Sequence, residues 1–263
     1  MSEKFVIIGE RIHVISPVIK EALTVRDAAP IIARGKEQLE AGADYLDVNI
    51  GPAERDGVDI MKWIVPEIQN SLDNPPLVLD TVNQDAIRAG LEVYNPVKGR
   101  AIVNSADAGE RLSNIDLAAE FGCISIGLLM DKGIPANNDE RNEYFERIVE
   151  RAMEAGMDPA EDIWFDPLVL VVKGMQEKQQ EFLDFLRLLK DMGMKSTCGL
   201  SNVSNGMPKH VRPVVDAVLC AMSIECGLTS AILNPLDKGL MDTVKTAEII
   251  LNRTLYADSY LDI

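Results

Sequence analysis

Seven short apolar runs in this 263-residue chain end in Asp, Asn or Glu: Gly9-Glu10-Arg11, Asp47-Val48-Asn49, Leu79-Asp80-Thr81, Asn104-Ser105, Asp166-Pro167, Ser201-Asn202-Val203-Ser204 and Asn234-Pro235. Taken singly, Asp166-Pro167 and Asn234-Pro235 read as turn formers. Asp47 and Asn49 say more. They lie two apart in an otherwise apolar stretch, so in a strand they share one face while the other face is apolar. Burying so many carboxylates and amides is costly unless they bond to one another or to a ligand.

A carboxylate accepts two adjacent N–H donors at once, and Asn both donates and accepts. That combination suits the edge of a reduced pterin, where a ring N–H stands beside a 2-amino group. A Mg²⁺-dependent lyase or aldolase barrel is the alternative, since it too would use carboxylates. Such an enzyme usually adds a His ligand or a Lys or His base. The two histidines, His13 and His210, are not paired by spacing with a second ligand. Cys123, Cys198, Cys220 and Cys226 form no CxxC or similar spacing, so they read as small buried or half-buried thiols.

The elements that must position these residues follow from period. Short β-rich runs at 5–11, 45–50, 76–81, 100–105, 123–130, 162–169, 195–202 and 229–234 alternate with helical stretches at 28–41, 56–72, 83–94, 108–121, 138–156, 175–192, 213–226 and 240–253. Gly42, Gly156 and Gly193 stand where left-handed helix C-caps would fall, and Asn83 and Asn138 where N-caps would. Eight such units with no linker and no Gly-rich first turn predict a single (β/α)₈ TIM barrel spanning 1–263 rather than an open sheet. In that fold chemistry sits at the carboxyl ends of the strands, where the Asp and Asn residues fall.

Composition narrows the partners. With 26 basic against 42 acidic residues, net −16, the chain would repel a phosphate backbone, so nucleic acid is not an expected partner. The apolar runs are too short for a membrane span, and Met1-Ser2-Glu3-Lys4 lacks a signal-peptide pattern, which predicts a cytoplasmic protein.

Seven pieces in order carry a family resemblance: Ile8-Gly9-Glu10-Arg11-Ile12, Asp47-Val48-Asn49-Ile50-Gly51-Pro52, Leu79-Asp80-Thr81, Ile102-Val103-Asn104-Ser105, Asp166-Pro167-Leu168, Gly199-Leu200-Ser201-Asn202-Val203-Ser204 and Glu225-Cys226-Gly227-Leu228. Together they resemble the methyltetrahydrofolate:corrinoid protein methyltransferases of anaerobic bacteria, over nearly the whole chain. The folate-binding module of cobalamin-dependent methionine synthase is similar, and dihydropteroate synthase more distantly so. The resemblance implies a pterin-binding barrel in which Asp80, Asn104 and Asp166 hold the pterin, Asn202 hydrogen-bonds N5, and Asp47 and Asn49 complete a polar floor. It implies tetrahydrofolate and methyltetrahydrofolate as substrates, no bound metal, a homodimer, and a corrinoid (cobalamin) carried on a separate, transiently bound protein, because the chain has no Asp-x-His-x-x-Gly motif. Asp47 and Asp80 could share a proton if close, which makes Asp47 a second candidate for the chemistry beside Asn202. Two departures stand out: His13 where relatives often have Asn, and a slightly longer loop 205–212 with Asn205 where Gln is expected. Arg212 and Lys209 in that loop are candidates for the anionic folate tail.

Overall fold

In a computed structural model, which describes residues 4–261, eight parallel strands form one sheet in the order β7-β6-β5-β4-β3-β2-β1-β8. The strands are β1 (Val6–His13), β2 (Tyr45–Asn49), β3 (Leu77–Asp80), β4 (Ile102–Asp107), β5 (Ile124–Leu128), β6 (Ile163–Asp166), β7 (Lys195–Ser196) and β8 (Ser230–Leu233). The seam between β7 and β8 is drawn together by a parallel bridge from Gly199 to Ile232, by Ile232 N donating to Cys198 O at 2.8 Å, and by Thr229 Oγ1 donating to Ser196 O at 2.7 Å. The result is the expected TIM barrel. Residues 1–3, part of the N-terminal stretch considered above, lie outside the described residues.

Period two along each strand splits the side chains between two apolar clusters. Ile8, Val78, Ile102, Ile124, Ile126 and Trp164 pack together as a plug inside the barrel. Their outward neighbours, such as Leu77, Leu79, Val103 and Phe165, join the larger cluster under the helices. Two positions beyond Val78, Ile102 and Trp164 on the same inward face come Asp80, Asn104 and Asp166. The polar tier therefore stands directly on the plug, at the carboxyl end.

The helices lie close to their expected positions, at residues 29–40, 57–71, 84–91, 114–120, 138–154, 178–191, 212–226 and 238–250. Gly42, Gly156 and Gly193 adopt φ of +100°, +78° and +71°, as their place after a helix requires. Asn83 caps its helix by accepting from Ala86 N. The other expected cap is displaced by one residue: Asn137 accepts from Glu140 N, while Asn138 lies inside the helix and donates to Glu181 O across to the neighbouring helix.

Two elements differ more. Residues 17–25 form a helix not expected from period, opened by Pro17 at its first position, where the missing N–H is no loss, and ended by Arg26 at φ 58°. Strand seven, expected over 195–202, pairs only at Lys195 and Ser196 before the bridge at Gly199; residues 200–204 then wind into a 3₁₀ turn. Asn202 therefore sits on a turn at the barrel mouth and not in the sheet.

Candidate functional site

The register of the sheet assembles the polar tier. Asn49 pairs with Asp80 across β2 and β3, and Asp80 pairs with Asn104 across β3 and β4, which places the three at one level. Asp166 lies opposite Leu128 of β5, on the same inward face. Each carboxylate has a dedicated donor. Asn49 Nδ2 donates to Asp80 Oδ2 at 2.5 Å, and Asn104 Nδ2 donates to Asp47 Oδ1 at 3.4 Å. Asp166 Oδ1 accepts from Leu168 N at 2.8 Å, closing the turn through Pro167, where Leu168 has φ 68°. Asn49 Oδ1 accepts from Gly51 N at 3.0 Å, so the amide flip that aims its NH₂ at Asp80 is set by the backbone.

Burial dominates the electrostatics of this tier. It pushes Asp80 up to about 6, against the pull of the Asn49 bond and the Arg111 charge. Asp166 is pushed up to about 7 by burial, opposed by its Leu168 bond and by Arg141. Asp47, 2% exposed, is raised well above the usual carboxylate range, first by burial and then by the Asp80 charge, with Asn104 opposing. Burial thus favours the protonated form of all three carboxyls, and a ligand bringing paired N–H donors would favour the ionised form in its place.

Asn202 and Asn205 both stand exposed on the mouth, where Asn205 Nδ2 donates to Asn202 Oδ1 at 3.4 Å. Arg212 opens the helix after them and reaches back, donating from Nε to Ser204 Oγ at 3.1 Å and from Nη2 to Asn205 Oδ1 at 3.3 Å. It braces the turn carrying Asn202. Lys209 and Arg212 line a cavity of about 280 Å³ with Glu10, Arg11, Ser201 and Asp216, beside the tier on the β1, β7 and β8 side. His13 Nδ1 accepts from Ile15 N at 3.0 Å in a local turn, and burial lowers its pKa.

Sequence reasoning gave no role to three charged residues here. Arg111 donates from Nε to Asp107 Oδ2 at 2.8 Å and from Nη1 to Ser105 Oγ at 3.2 Å, beside β4, and its charge acts on Asp80. Arg141 is fully buried, donates from Nε to Pro167 O at 3.0 Å and lies over the Phe185 ring, so it supports the Asp166 turn from below. No local pattern marks it. Glu10 was visible only as part of the first motif. Among the described residues, no three His, Cys, Asp or Glu side chains are grouped so as to hold a metal ion.

A barrel whose carboxyl end carries this Asp and Asn tier defines a class, and residues 16–234 match the model of that class: the chain belongs to the pterin binding enzyme family. Over 97% of its length, and 94% of the relative's, it is 26% identical to the methylcorrinoid:tetrahydrofolate methyltransferase of Eubacterium limosum. It is 30% identical to a segment of the methionine synthase of Mycobacterium leprae, covering 86% of this chain but only 20% of that protein. In fold it is similar to the 7,8-dihydropteroate synthase of Vibrio fischeri ES114, with TM-score 0.75 and 13% identity over 96% of this chain and 95% of that one. The Yersinia pestis dihydropteroate synthase bound to a pterine-sulfa conjugate superposes with TM-score 0.72 at 15% identity over 95% and 94%.

Proposed function

We propose that the whole chain acts as one pterin-binding barrel, a methyltransferase exchanging the N5-methyl group between methyltetrahydrofolate and the cobalt of a corrinoid carried on a separate protein. The observation that carries this reading is the inward tier of Asp47, Asn49, Asp80, Asn104 and Asp166 on an apolar plug. Near full-length similarity to a methylcorrinoid:tetrahydrofolate methyltransferase supports it.

In this reading Asp80 and Asp166 accept the donor edge of the pterin and Asn104 bonds its remaining polar atoms. The methyl group leaves a tertiary amine, and the departing nitrogen would be an anion unless N5 gains a proton. Asn202 on the mouth bonds N5 and favours its protonated form, more in the transition state than in the ground state. The residues serve both directions, and reactant concentrations set the net flow.

Two further features belong to the reading. The chain pairs as a homodimer, supported by the exposed apolar ridge Val214, Val218 and Met222 on the helix 212–226. It works in the cytoplasm, which suits four free buried cysteines. Among the described residues no helix is long and apolar enough to cross a membrane.

The test is calorimetric titration with methyltetrahydrofolate in excess chelator, followed by stopped-flow mixing of the complex with cob(I)alamin. Binding and formation of methylcobalamin are expected. Absence of folate binding, or binding only with added Mg²⁺, would overturn the reading in favour of other barrel chemistry.

A further inference from the structure

The cavity beside the polar tier contains a half-buried carboxyl to which the reading above assigns no task. Glu10 extends from β1 two positions after the plug residue Ile8, so it points inward above the plug as Asp80 does on β3. Glu10 Oε2 accepts a 2.8 Å hydrogen bond from Ser201 Oγ, although the two are 191 positions apart in sequence. Ser201 directly precedes Asn202 in the 3₁₀ turn. Glu10 and Ser201 line the cavity of about 280 Å³, whose wall also includes the exposed Arg11 and Lys209. One end of this carboxyl–hydroxyl pair thus touches the turn that presents Asn202, and the other reaches the protein surface.

The charged groups around Glu10 come from every neighbouring element. Arg11 is on its own strand, Asp47 on β2, Lys209 on the loop after β7, Arg212 and Asp216 on the helix 212–226, and Asp237 on the turn after β8. Burial raises the Glu10 carboxyl, the Ser201 bond, Arg11 and Arg212 lower it, Asp216 raises it, and the net effect is upward. Asp216 is itself raised by burial.

We propose that Glu10 is the proton store for N5, with the Ser201 hydroxyl beside Asn202 as the relay that gives its own proton onward and takes one from Glu10. The inference rests on the methyl-transfer reading and adds the group that supplies the proton. In the direction from folate to cobalt, the N5–methyl bond breaks with its electron pair left on N5, and the new carbon–cobalt bond takes its pair from Co(I). The Ser201 proton ends on N5 and is replaced by the Glu10 proton, and the carboxylate recovers a proton from water through the cavity. In the reverse direction the Glu10 carboxylate receives the proton that N5 gives up after taking the methyl group. Asp47 and Asp80, engaged by Asn104 and Asn49, remain pterin-facing groups.

The test compares Glu10→Gln and Ser201→Ala with the unaltered protein, measuring methyltetrahydrofolate affinity by calorimetry and single-turnover transfer to cob(I)alamin at saturating folate from pH 5.5 to 8.5. Glu10→Gln retains an acceptor for Ser201, so affinity should stay within about twofold. Its transfer rate should fall about 10²-fold, the lower end for loss of general acid catalysis, and the alkaline fall in rate should flatten. Ser201→Ala removes both the relay hydroxyl and a bond that lowers the Glu10 pKa, so transfer should slow and the alkaline fall should move to higher pH. Should Glu10→Gln bind folate normally with an unchanged rate and pH profile, or lose affinity in proportion to rate, the proposal is overturned. Should Glu10→Gln fail to fold, Ser201→Ala decides alone, and an unmoved pH profile overturns it. Loss of folate binding or transfer in the unaltered protein would instead count against the methyl-transfer reading.

Discussion

Asp166→Asn should make the protein more stable and a worse folate binder. Asp166 is 9% exposed, and its carboxyl is raised from 3.8 to about 7 mainly by burial. The folded state therefore holds the proton more tightly than the unfolded chain. The stabilisation from this group is fully present below 3.8 and is lost as pH rises through about 7. Above that, ionising the buried acid costs on the order of 4 kcal/mol, an upper bound because water penetration softens it. Asn keeps the acceptor for Leu168 N, now 2.8 Å from Asp166 Oδ1, so the turn through Pro167 persists without the charge. Even a quarter of that cost, about 1 kcal/mol, would raise the melting temperature at pH 8 by roughly 2–4 °C for a chain of this size. The gain should vanish at pH 4, where the native acid is protonated. Folate affinity should move the other way: a lost charge-assisted contact of about 1.5–3 kcal/mol is roughly 10- to 150-fold in Kd. Because the pterin donors require the ionised acid, native affinity should weaken below pH 7 and that of Asp166→Asn should not follow. Melting curves at pH 4 and 8 with calorimetry at three pH values decide it. A variant that melts lower at pH 8 and binds folate normally would refute both the burial argument and the pterin assignment.

The other predictions follow the geometry of the mouth. Asp80→Ala should weaken tetrahydrofolate and methyltetrahydrofolate equally, by about 10- to 150-fold, since it contacts ring atoms away from the methyl group; a selective loss of the methylated form, seen by calorimetry, would move Asp80 next to N5. Asn202→Ala should lower transfer about 10²-fold with a smaller loss of binding, and a preserved rate at saturation with binding lost would make Asn202 an anchor. A methyl group added at Gly199 would lie 2.9 Å from Asn202 Nδ2, the mobile end of a side chain, so Gly199→Ala should melt normally but slow transfer about tenfold; an unaltered stopped-flow rate would mean Asn202 need not hold its pose. Lys209→Glu should raise the apparent KM for the corrinoid protein while sparing turnover with free cobalamin, and equal loss with both acceptors would place loop 205–212 in the folate site.

The sequence by itself determined most of what depends on local period. Alternation over Leu77–Asp80 and Ile163–Asp166 divides inward from outward residues with no tertiary information, because successive strand side chains point to opposite faces. Gly42, Gly156 and Gly193 mark helix ends because only glycine takes positive φ without a steric cost. From these alone, Asp80, Asn104 and Asp166 could be assigned to strand ends at one mouth. What tertiary structure decided is pairing. Asn49 serves Asp80 because strand register brings the two level, Asn104 reaches Asp47 from one inward tier further along, and register is not encoded within any one strand. Strand seven gives way to a turn at Gly199 because the seam with β8 forms a single bridge there, so Asn202 moved from a strand to the rim. The contact of Glu10 with Ser201 exists only when β1 and the end of β7 meet around the barrel, and the burial of Arg141 beneath Pro167 only when a helix packs over β6. Periodicity reports which face a residue takes, whereas burial, partner and pKa depend on what the rest of the chain brings against that face.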